Sequence, residues 1–344
     1  MRNQIKYSIL EIAAISQGMS FKETLNNALQ IAKAAEDNHY TRFWFAEHHN
    51  TDTVASNATS VLIGYVADNT KHIRVGSGGI MLPNHSPLII AEQFGTLAQL
   101  YPNRIDLGLG RAAGTDKLTA HAIRSDFIQA AYSFPVQITK IQHYFDVQNQ
   151  SAKVRVAIAE GMDVPLYILG SSTDSANLAA TKGLPYAFGS HFATTHLHPA
   201  LCIYKKEFQS SQDLKQPYTI AGINVIIADS DAEAQILFTS LIKMFYGIFT
   251  GVSKQLQPPV PMDDELREMF QHPAVSQTLK YSFVGSKETV KAGIQRFVEE
   301  TKVDELMVST NIFSLEDRNI SVDLLADIIK EINNNSGLSS PDIC

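Results

Sequence analysis

Apolar segments with strand character alternate with helical segments along most of the chain. Short runs rich in Val, Ile, Phe and Tyr are separated by stretches whose apolar residues recur every three or four positions. The eight predicted strands, each paired with a helix, are residues 5–10, 42–46, 73–76, 104–108, 165–170, 185–188, 218–228 and 305–309. Alternating strands and helices predict a parallel sheet, and eight such units favour a closed (β/α)8 barrel over an open doubly wound sheet. We therefore predict a single (β/α)8 barrel domain over residues 1–344.

The alternation is less regular in two places, which we interpret as insertions in the barrel near 111–160 and 250–283. Residues 124–146 have a helical pattern but contain a proline, and residues 154–158 are compatible with a short additional strand. Residues 255–264 contain three prolines and show no periodicity. We interpret this last segment as an excursion or as a lid over the active site.

A parallel barrel brings the carboxyl ends of its strands to one face, where polar residues from distant parts of the sequence meet. The polar and glycine residues that follow the predicted strands are Glu11, Glu47-His48-His49, Gly78-Gly79, Arg111 and Ser171-Ser172. An open sheet that binds a dinucleotide would need a Gly-x-Gly-x-x-Gly turn after its first strand, and this chain has Glu-Ile-Ala-Ala there. The barrel therefore predicts one site that contains these residues.

Composition limits the compartment and the partners. Hydrophobic residues make up 44% of the chain and charged residues 18%, which is ordinary for a soluble globular protein. A net charge of −7 argues against nucleic acid and anionic membranes as partners. The amino terminus lacks the apolar region of a signal peptide, and no segment is apolar enough to span a bilayer. Cys202 and Cys344 fit no metal-binding spacing, so we predict a cytoplasmic protein with free thiols.

Three consecutive ionisable residues, Glu47, His48 and His49, follow an aromatic strand that contains the only tryptophan, Trp44. Buried imidazoles and carboxylates are costly without partners, so this cluster indicates a functional site, although a solvated loop is the alternative. Two adjacent histidines are compatible with zinc, but neighbours in an extended chain point to opposite sides. The sequence offers no third ligand, so we assign no metal-binding residue.

Glycines and polar residues also follow the third, fourth and fifth predicted strands. Residues 76–79 (Gly-Ser-Gly-Gly) are compatible with a tight turn or with backbone that a planar ligand approaches closely. Arg111 is compatible with a surface ion pair or with binding of an anion. Residues 170–175 (Gly-Ser-Ser-Thr-Asp-Ser) precede a helix, where they would cap it or would bind a phosphate with help from the helix dipole.

Taken in order, these motifs resemble those of the bacterial luciferase-like flavin-dependent monooxygenases, a family of (β/α)8 barrels. The matching segments are Glu47-His48-His49, residues 78–87 (Gly-Gly-Ile-Met-Leu-Pro-Asn-His-Ser-Pro), residues 104–111 (Arg-Ile-Asp-Leu-Gly-Leu-Gly-Arg), Gly170-Ser171-Ser172 and residues 304–308 (Asp-Glu-Leu-Met-Val). The resemblance extends over residues 5–330 and is weakest at 125–160 and 245–283. As an ordered set the motifs are specific, although none of them is specific alone.

The resemblance implies a role for each matched position. His48 matches the active-site histidine beside the flavin ring and Glu47 precedes it, so both are candidate catalytic residues. Gly78 and Gly79 match a pair that is joined by a non-prolyl cis peptide and packs under the flavin. The candidate cofactor ligands are Gly78, Gly79, Arg111, Gly170, Ser171, Ser172 and Ser175, with Arg124 as a looser candidate. The luciferases carry a reactive cysteine where this chain has Gly110, which argues against light emission but not against flavin binding.

The resemblance also implies a reaction. It predicts a monooxygenase that uses reduced FMN and dioxygen to oxidise a small organic substrate, with His48 as an acid, base or hydrogen-bond partner. A separate flavin reductase would supply the reduced FMN, and a homodimer is expected. The alternatives are a deazaflavin-dependent dehydrogenase of the same architecture, which transfers hydride without oxygen, a relative that binds flavin without turnover, and a metal-dependent barrel hydrolase.

Overall fold

The computed structural model describes residues 4–335, which form a parallel β-barrel surrounded by helices. The strands are β1 (Lys6–Glu11), β2 (Arg42–Phe45), β3 (Arg74–Met81), β4 (Ile105–Gly110), β5 (Leu166–Gly170), β6 (Tyr186–Phe188), β7 (Thr219–Ile227), β8 (Ser282–Gly285) and β9 (Glu305–Ser309). All of them except β8 close the barrel in the order β1-β2-β3-β4-β5-β6-β7-β9, and β9 pairs with β1. The predicted (β/α)8 barrel is confirmed.

Helices follow the strands and cover the outside of the barrel. They are α1 (Phe21–Asp37), α2 (Thr59–Asp68), α3 (Pro87–Leu100), α4 (Lys117–Ile123), α5 (Phe127–Tyr132), α6 (Phe134–Phe145), α7 (Thr173–Lys182), α8 (Leu197–Glu207), α9 (Asp231–Thr250), α10 (Asp264–Gln271), α11 (Pro273–Thr278), α12 (Lys287–Thr301) and α13 (Leu315–Asn335). Short 3-10 helices occupy Leu82–Asn84, Val147–Ser151 and Leu279–Tyr281. No helix within residues 4–335 is long and apolar enough to cross a membrane.

The insertion after β4 differs from its prediction in two respects. Residues 154–158 form turns and coil rather than a strand, because they follow a 3-10 helix and do not pair with any strand of the barrel. The predicted helix over 124–146 is divided into α5 and α6, and Pro135 lies in the first turn of α6. Proline is tolerated there because the first N–H groups of a helix have no partner within it.

The insertion before α12 contains more regular structure than its sequence indicates. Helices α10 and α11 lie within 250–283, and β8 pairs with only the carboxyl half of β7, outside the closed barrel. The segment before α10 has no helix or strand, as predicted, yet Leu256 is buried and is held to the loop after β1 by backbone hydrogen bonds. The Leu256 N–H donates to the Ile15 carbonyl at 2.8 Å, and the Gln17 N–H donates to the Leu256 carbonyl at 2.9 Å. The segment thus crosses the carboxyl-end side of the barrel.

One prediction about the cysteines is wrong. Cys202 lies in α8 and is disulfide-bonded, so it is not a free thiol. Sequence spacing did not reveal this pairing because a disulfide depends on proximity in the fold. Cys344 lies outside the described residues.

The apolar core has two layers, which follow from the alternation of side chains along each strand. The larger layer lies between strands and helices and includes Phe43 and Phe45 of β2 together with Ile31, Ile63 and Phe94 of the helices. The smaller layer consists of alternate strand residues inside the barrel, namely Leu10, Trp44, Ala46, Tyr167, Ala187, Ile220 and Met307. These inward-facing side chains therefore line the inside of the barrel, below the opening at the carboxyl ends of the strands.

A buried ion network lies inside the barrel near the amino ends of the strands. The Arg42 guanidinium donates to Asp106 Oδ2 at 2.7 Å and to Glu305 Oε1 at 2.8 Å, and the two carboxylates are 0% exposed. Arg42 also donates to the Tyr167 hydroxyl at 2.6 Å, and Trp44 Nε1 donates to Asp106 at 3.0 Å. Further hydrogen bonds to the two carboxylates come from Ser8, Arg74 and Tyr218. The polar groups of this network fill the amino end of the barrel, and they are hydrogen-bond partners of one another.

Candidate functional site

Glu47 connects the loop after β2 to the segment after β3. Its carboxylate is buried, and His49 Nε2 lies 2.8 Å from Oε1. His85 Nε2 lies 2.9 Å and 3.0 Å from the two oxygens. The Met81 N–H donates to Oε2 at 3.0 Å, and Asn84 Nδ2 donates to Oε1 at 3.2 Å. Both oxygens therefore have partners within the protein.

These contacts decide the charge of Glu47. Burial by itself would raise the pKa of this carboxyl, but hydrogen bonds from His49, His85 and the Met81 N–H outweigh burial and lower the pKa to about 2. A carboxylate that is ionised at neutral pH and whose oxygens are occupied is poorly suited to donate a proton. The geometry favours a positioning role for Glu47, and its catalytic role stays a prediction.

Replacement of Glu47 by Gln should lower the free energy of unfolding at pH 7. The difference between the usual pKa of 4.5 and a value of about 2 corresponds to roughly 3 kcal/mol. Because the pKa is lower in the folded state, this stabilisation is complete above pH 4.5 and is lost as the pH falls towards 2. Denaturant unfolding at a series of pH values should therefore show the wild-type and Glu47→Gln curves converging in acid.

A matched control for this prediction is Glu92→Gln, which changes an exposed carboxylate on α3. That variant should match the wild type at every pH. The free energy of unfolding could instead differ between the wild type and Glu47→Gln by the same amount from pH 7 to pH 3. That result would contradict the electrostatic explanation and would indicate lost packing.

His48 is held by hydrogen bonds of its backbone, while one nitrogen of its ring has no partner among the described residues. The His48 N–H donates to the Ser56 carbonyl at 3.1 Å, and Asn57 Nδ2 donates to the His48 carbonyl at 2.9 Å. The ring atom Nδ1 is buried and has no hydrogen-bond partner among residues 4–335. Burial lowers the pKa of His48, and the charge of Glu47 partly opposes this effect. His48 is therefore a neutral imidazole near pH 7 with an unused nitrogen at the end of β2.

A second histidine of the site, His191, was missed by the sequence analysis. It lies three residues after the end of β6, and its Nδ1 is also buried without a partner within the described part of the chain. Burial and the proximity of His48 lower the pKa of His191 to about 4. His191 was predictable, because the carboxyl ends of all barrel strands converge and His191 follows the sixth predicted strand. The sequence analysis selected no polar residue after that strand.

The peptide bond between Gly78 and Gly79 is cis, which confirms the geometry that the resemblance implied. Both residues lie within β3, so the tight-turn alternative is wrong. A Cβ on Gly78 would lie 2.7 Å from Leu10 Cδ1 and 3.1 Å from Trp44 Cβ, and a Cβ on Gly79 would lie 2.7 Å from the Gly108 carbonyl oxygen. Any side chain here would thus displace the barrel lining as well as an approaching ligand.

Arg111 and the start of α7 follow the adjacent strands β4 and β5 at the barrel opening. Leu109 of β4 pairs with Ile168 of β5, and continuing this register by two residues puts Arg111 level with Gly170, next to Ser171. Adjacent strands are about 5 Å apart. The Arg111 side chain is exposed and makes no hydrogen bond or ion pair with the residues that the structure describes. A cation with unused donors therefore lies close to a helix amino terminus.

The serines at the start of α7 have different surroundings. Ser172 is the N-cap and accepts from the Ser175 N–H at 3.3 Å, so the capping interpretation is confirmed. Ser175 Oγ donates to the Ser172 carbonyl at 2.7 Å and lies 2.9 Å from the Tyr186 hydroxyl oxygen. A Cβ on Gly170 would lie 2.1 Å from Ser175 Oγ. Ser172, Ser175 and Gly170 thus shape the turn, and no hydrogen bond of the Ser171 side chain to the described residues is observed.

Arg124, the looser candidate, is already engaged. Its Nε donates to Asp126 Oδ1 at 2.7 Å, and its Nη1 donates to the His85 carbonyl at 2.8 Å. A phosphate would have to displace Asp126 from this guanidinium. The structure brings Arg124 to the segment after β3 but leaves it fewer unused donors than Arg111 has.

Glu11 was expected at the same opening, and it is engaged too. The Glu11 carboxylate accepts from Arg318 Nη2 at 2.8 Å and from the Ala13 N–H at 2.6 Å, so it fixes the loop after β1. Within residues 4–335 no group of three His, Cys, Asp or Glu side chains is arranged to hold a metal ion. The polar groups at this opening thus include imidazoles, a guanidinium and the N–H groups at the start of α7.

Comparison with known proteins places the chain in a family. The family model for the luciferase-like monooxygenases matches residues 6–305. A luciferase-like monooxygenase of Escherichia coli (strain K12) is 44% identical over 328 residues, which cover 95% of this chain and 98% of that protein. The crystal structure of apo-MsnO8 has 31% sequence identity and a TM-score of 0.85, and the match covers 95% of this chain and 98% of that one.

Less similar structures share the fold and show which cofactors the barrel accommodates. One is the oxygenating constituent of a 3,6-diketocamphane monooxygenase of Pseudomonas putida in complex with FMN, with 16% identity, a TM-score of 0.71, and coverage of 95% of this chain and 98% of that one. Another is an F420-dependent secondary alcohol dehydrogenase, with 15% identity, a TM-score of 0.69, and coverage of 96% and 99%. The first of these two proteins is thus bound to FMN, and the second depends on F420. On the family match and these identities, this chain belongs to the luciferase-like monooxygenase family.

Proposed function

We propose that this protein is a flavin-dependent monooxygenase that uses reduced FMN and dioxygen to oxidise a small organic substrate. The observation that carries the proposal is the position of Arg111 beside the amino end of α7, at the same barrel opening as the unpartnered Nδ1 of His48. The proposal includes a separate flavin reductase as the source of reduced FMN, a homodimeric assembly and a cytoplasmic location.

The residues present fit an FMN phosphate. A phosphate needs charge-assisted donors, and the Arg111 guanidinium after β4 would supply them together with the Ser171 hydroxyl and the first N–H groups of α7 after the adjacent strand β5. The positive end of the helix dipole adds to this attraction. Ser172 and Ser175 would contribute mainly by keeping the turn in shape.

The ring of the flavin would lie over the barrel opening, with the Gly78–Gly79 backbone beneath it. When bound, reduced FMN supplies the electrons that activate dioxygen. His48 is neutral near pH 7, so it can donate or accept one hydrogen bond at the reacting region. The segment 251–263 crosses the same side of the barrel and would limit the access of water.

Arg111→Ala should weaken the binding of FMN by about 10- to 150-fold, the equivalent of roughly 1.5–3 kcal/mol for hydrogen bonds to a charged group. Riboflavin has no phosphate, so its affinity should be the same for Arg111→Ala and for the wild type. Both flavins can be titrated by fluorescence or by isothermal calorimetry. Arg296→Ala, which removes an exposed arginine on α12, is the control and should change neither affinity.

The second candidate function is a deazaflavin-dependent dehydrogenase. It is considered because this chain shares its fold with an F420-dependent secondary alcohol dehydrogenase. The two functions differ in their need for oxygen. The monooxygenase should consume dioxygen when reduced FMN and substrate are both present. Substrate-dependent reduction of F420 under anaerobic conditions, together with tighter binding of F420 than of FMN, would contradict our proposal.

A further inference from the structure

Tyr186 of β6 contacts the turn that connects β5 to α7, which we call the β5–α7 turn (residues 170–175). The side chain of Tyr186 is buried, and its hydroxyl oxygen lies 2.9 Å from Ser175 Oγ. The same hydroxyl donates to the Ser172 carbonyl at 3.1 Å. In the sheet Tyr186 pairs with Ile168 of β5, two residues before the turn begins. A side chain of one strand is therefore hydrogen-bonded to the turn that follows the neighbouring strand.

The ring of Tyr186 is held in place by two aromatic neighbours. Its centroid lies 5.4 Å from the ring centroid of Tyr204 and 6.2 Å from that of Phe188. Close packing of this kind leaves a buried ring few alternative positions. Burial also raises the pKa of the Tyr186 hydroxyl, so it stays protonated and can donate a hydrogen bond at neutral pH.

Two hydroxyl groups fix the direction of the Ser172 carbonyl. Ser175 Oγ donates to this carbonyl at 2.7 Å, in addition to the Tyr186 hydroxyl. A backbone carbonyl oxygen has two lone pairs and can accept both hydrogen bonds. Gly170 permits the arrangement, because a Cβ at that position would overlap Ser175 Oγ. The Ser172 carbonyl is therefore directed towards the two hydroxyl groups.

The direction of the Ser172 carbonyl also sets the direction of the Thr173 N–H, because the two belong to one planar peptide group. In a trans peptide the N–H points opposite to the carbonyl. Thr173 is the first residue of α7, so its N–H has no partner within the helix. The hydrogen bonds to the Ser172 carbonyl thus direct an unused donor away from Tyr186. Arg111 lies on the other side of β5 from Tyr186, because it follows β4 and the strand order is β6-β5-β4.

We propose that Tyr186 is a positioning residue for the phosphate of the bound flavin, and that it acts through Ser175 and the Ser172 carbonyl to orient the first N–H groups of α7. This inference rests on the proposed function and adds a residue that favours FMN over riboflavin without touching either. Without the Tyr186 hydroxyl, the β5–α7 turn would have to become ordered when the phosphate binds, and this cost lowers the affinity for FMN. Riboflavin has no phosphate, so its binding does not depend on the turn.

The test is titration of Tyr186→Phe, in the full chain, with FMN and with riboflavin. The variant should bind FMN about 3- to 10-fold more weakly, which is the scale of one hydrogen bond, and should bind riboflavin as the wild type does. The readout is the ratio of the two affinities, because a general loosening of the fold would weaken both flavins. A ratio that Tyr186→Phe leaves unchanged would overturn the inference.

Tyr204→Phe is the matched control. Tyr204 is also buried, and its hydroxyl donates to the Leu184 carbonyl at 2.9 Å and accepts from the Tyr218 N–H at 3.1 Å. These partners precede β6 and β7 and do not belong to the β5–α7 turn. Both variants lose a buried hydroxyl group and should lower the melting temperature by similar amounts, but only Tyr186→Phe should change the ratio of flavin affinities. The same change of ratio in Tyr204→Phe would overturn the inference.

A double-mutant cycle with Ser175→Ala tests the path of the effect. In the Ser175→Ala background, Tyr186→Phe should weaken FMN by a smaller factor than in the wild type, because the contact at 2.9 Å is already lost. Equal factors in the two backgrounds would overturn the assignment, since Tyr186 would then not act through Ser175.

Failure of the proposed function gives a different result from failure of this inference. A parent protein that binds neither flavin overturns both. A parent protein that binds FMN and riboflavin equally well has no phosphate site, which overturns the assignment of Arg111 together with that of Tyr186. A preference for FMN that Arg111→Ala abolishes and Tyr186→Phe leaves intact overturns the inference alone.

Discussion

Arg42→Ala should destabilise the protein by about 3–5 kcal/mol, the largest effect on folding that we expect from a single substitution. The guanidinium pairs with Asp106 and Glu305, whose side chains are 0% exposed. Its removal takes the guanidinium partner from buried Glu305 and leaves buried Asp106 with Arg74 as its cation, and a desolvated charge without its partner is costly. Equilibrium unfolding in guanidinium chloride should show a lower midpoint with an unchanged slope, since the surface exposed on unfolding stays the same.

The matched control for Arg42 is Arg267→Ala. Arg267 pairs with Asp264 at 2.8 Å, but the two side chains are 56% and 98% exposed. Exposed pairs contribute little because water already solvates both charges, so this variant should change stability by less than about 1 kcal/mol. If both variants lost the same free energy of unfolding, burial would not be the reason that the Arg42 network stabilises the fold.

His48→Ala should reduce coupled oxygenation by about 10²-fold or more, which is the scale of lost acid–base assistance. The ring makes no hydrogen bond through Nδ1 to the residues described, so its loss removes no buried contact through that atom. The melting temperature should therefore stay within a few degrees of the wild-type value. The measurement is oxidised product formed per reduced FMN consumed, with any substrate that the wild-type protein turns over.

The control for His48 is its neighbour. His49 contacts Glu47 at 2.8 Å, so His49→Ala should lower stability more and coupled oxygenation less than His48→Ala does. Full coupled activity in His48→Ala would show that this imidazole is not needed for the chemistry. A large loss of melting temperature would show that His48 stabilises the fold.

The fold was predictable because the strand and helix periods are local properties. Alternation along β2 places Trp44 inside the barrel and Phe43 and Phe45 outside it, and similar alternation in the other strands closes the sheet. The short β8 was missed because it lies outside the closed barrel, so the alternation of eight strands and helices did not require it. Residues 154–158 were wrongly predicted as a strand. Their apolar residues alternate as in a strand, but no neighbouring strand is available to pair with them.

The sequence by itself determined the barrel, the strand ends that meet at its opening and the Gly78–Gly79 motif, because each depends on residue type and order along the chain. Tertiary structure decided which of those residues have unused groups. It occupies the oxygens of Glu47 with His49, His85 and the segment after β3, whereas Arg111 keeps its donors. It also brings His191 against Gly222 of β7. Such pairings depend on distances between strands that are far apart in sequence, and no local pattern specifies those distances.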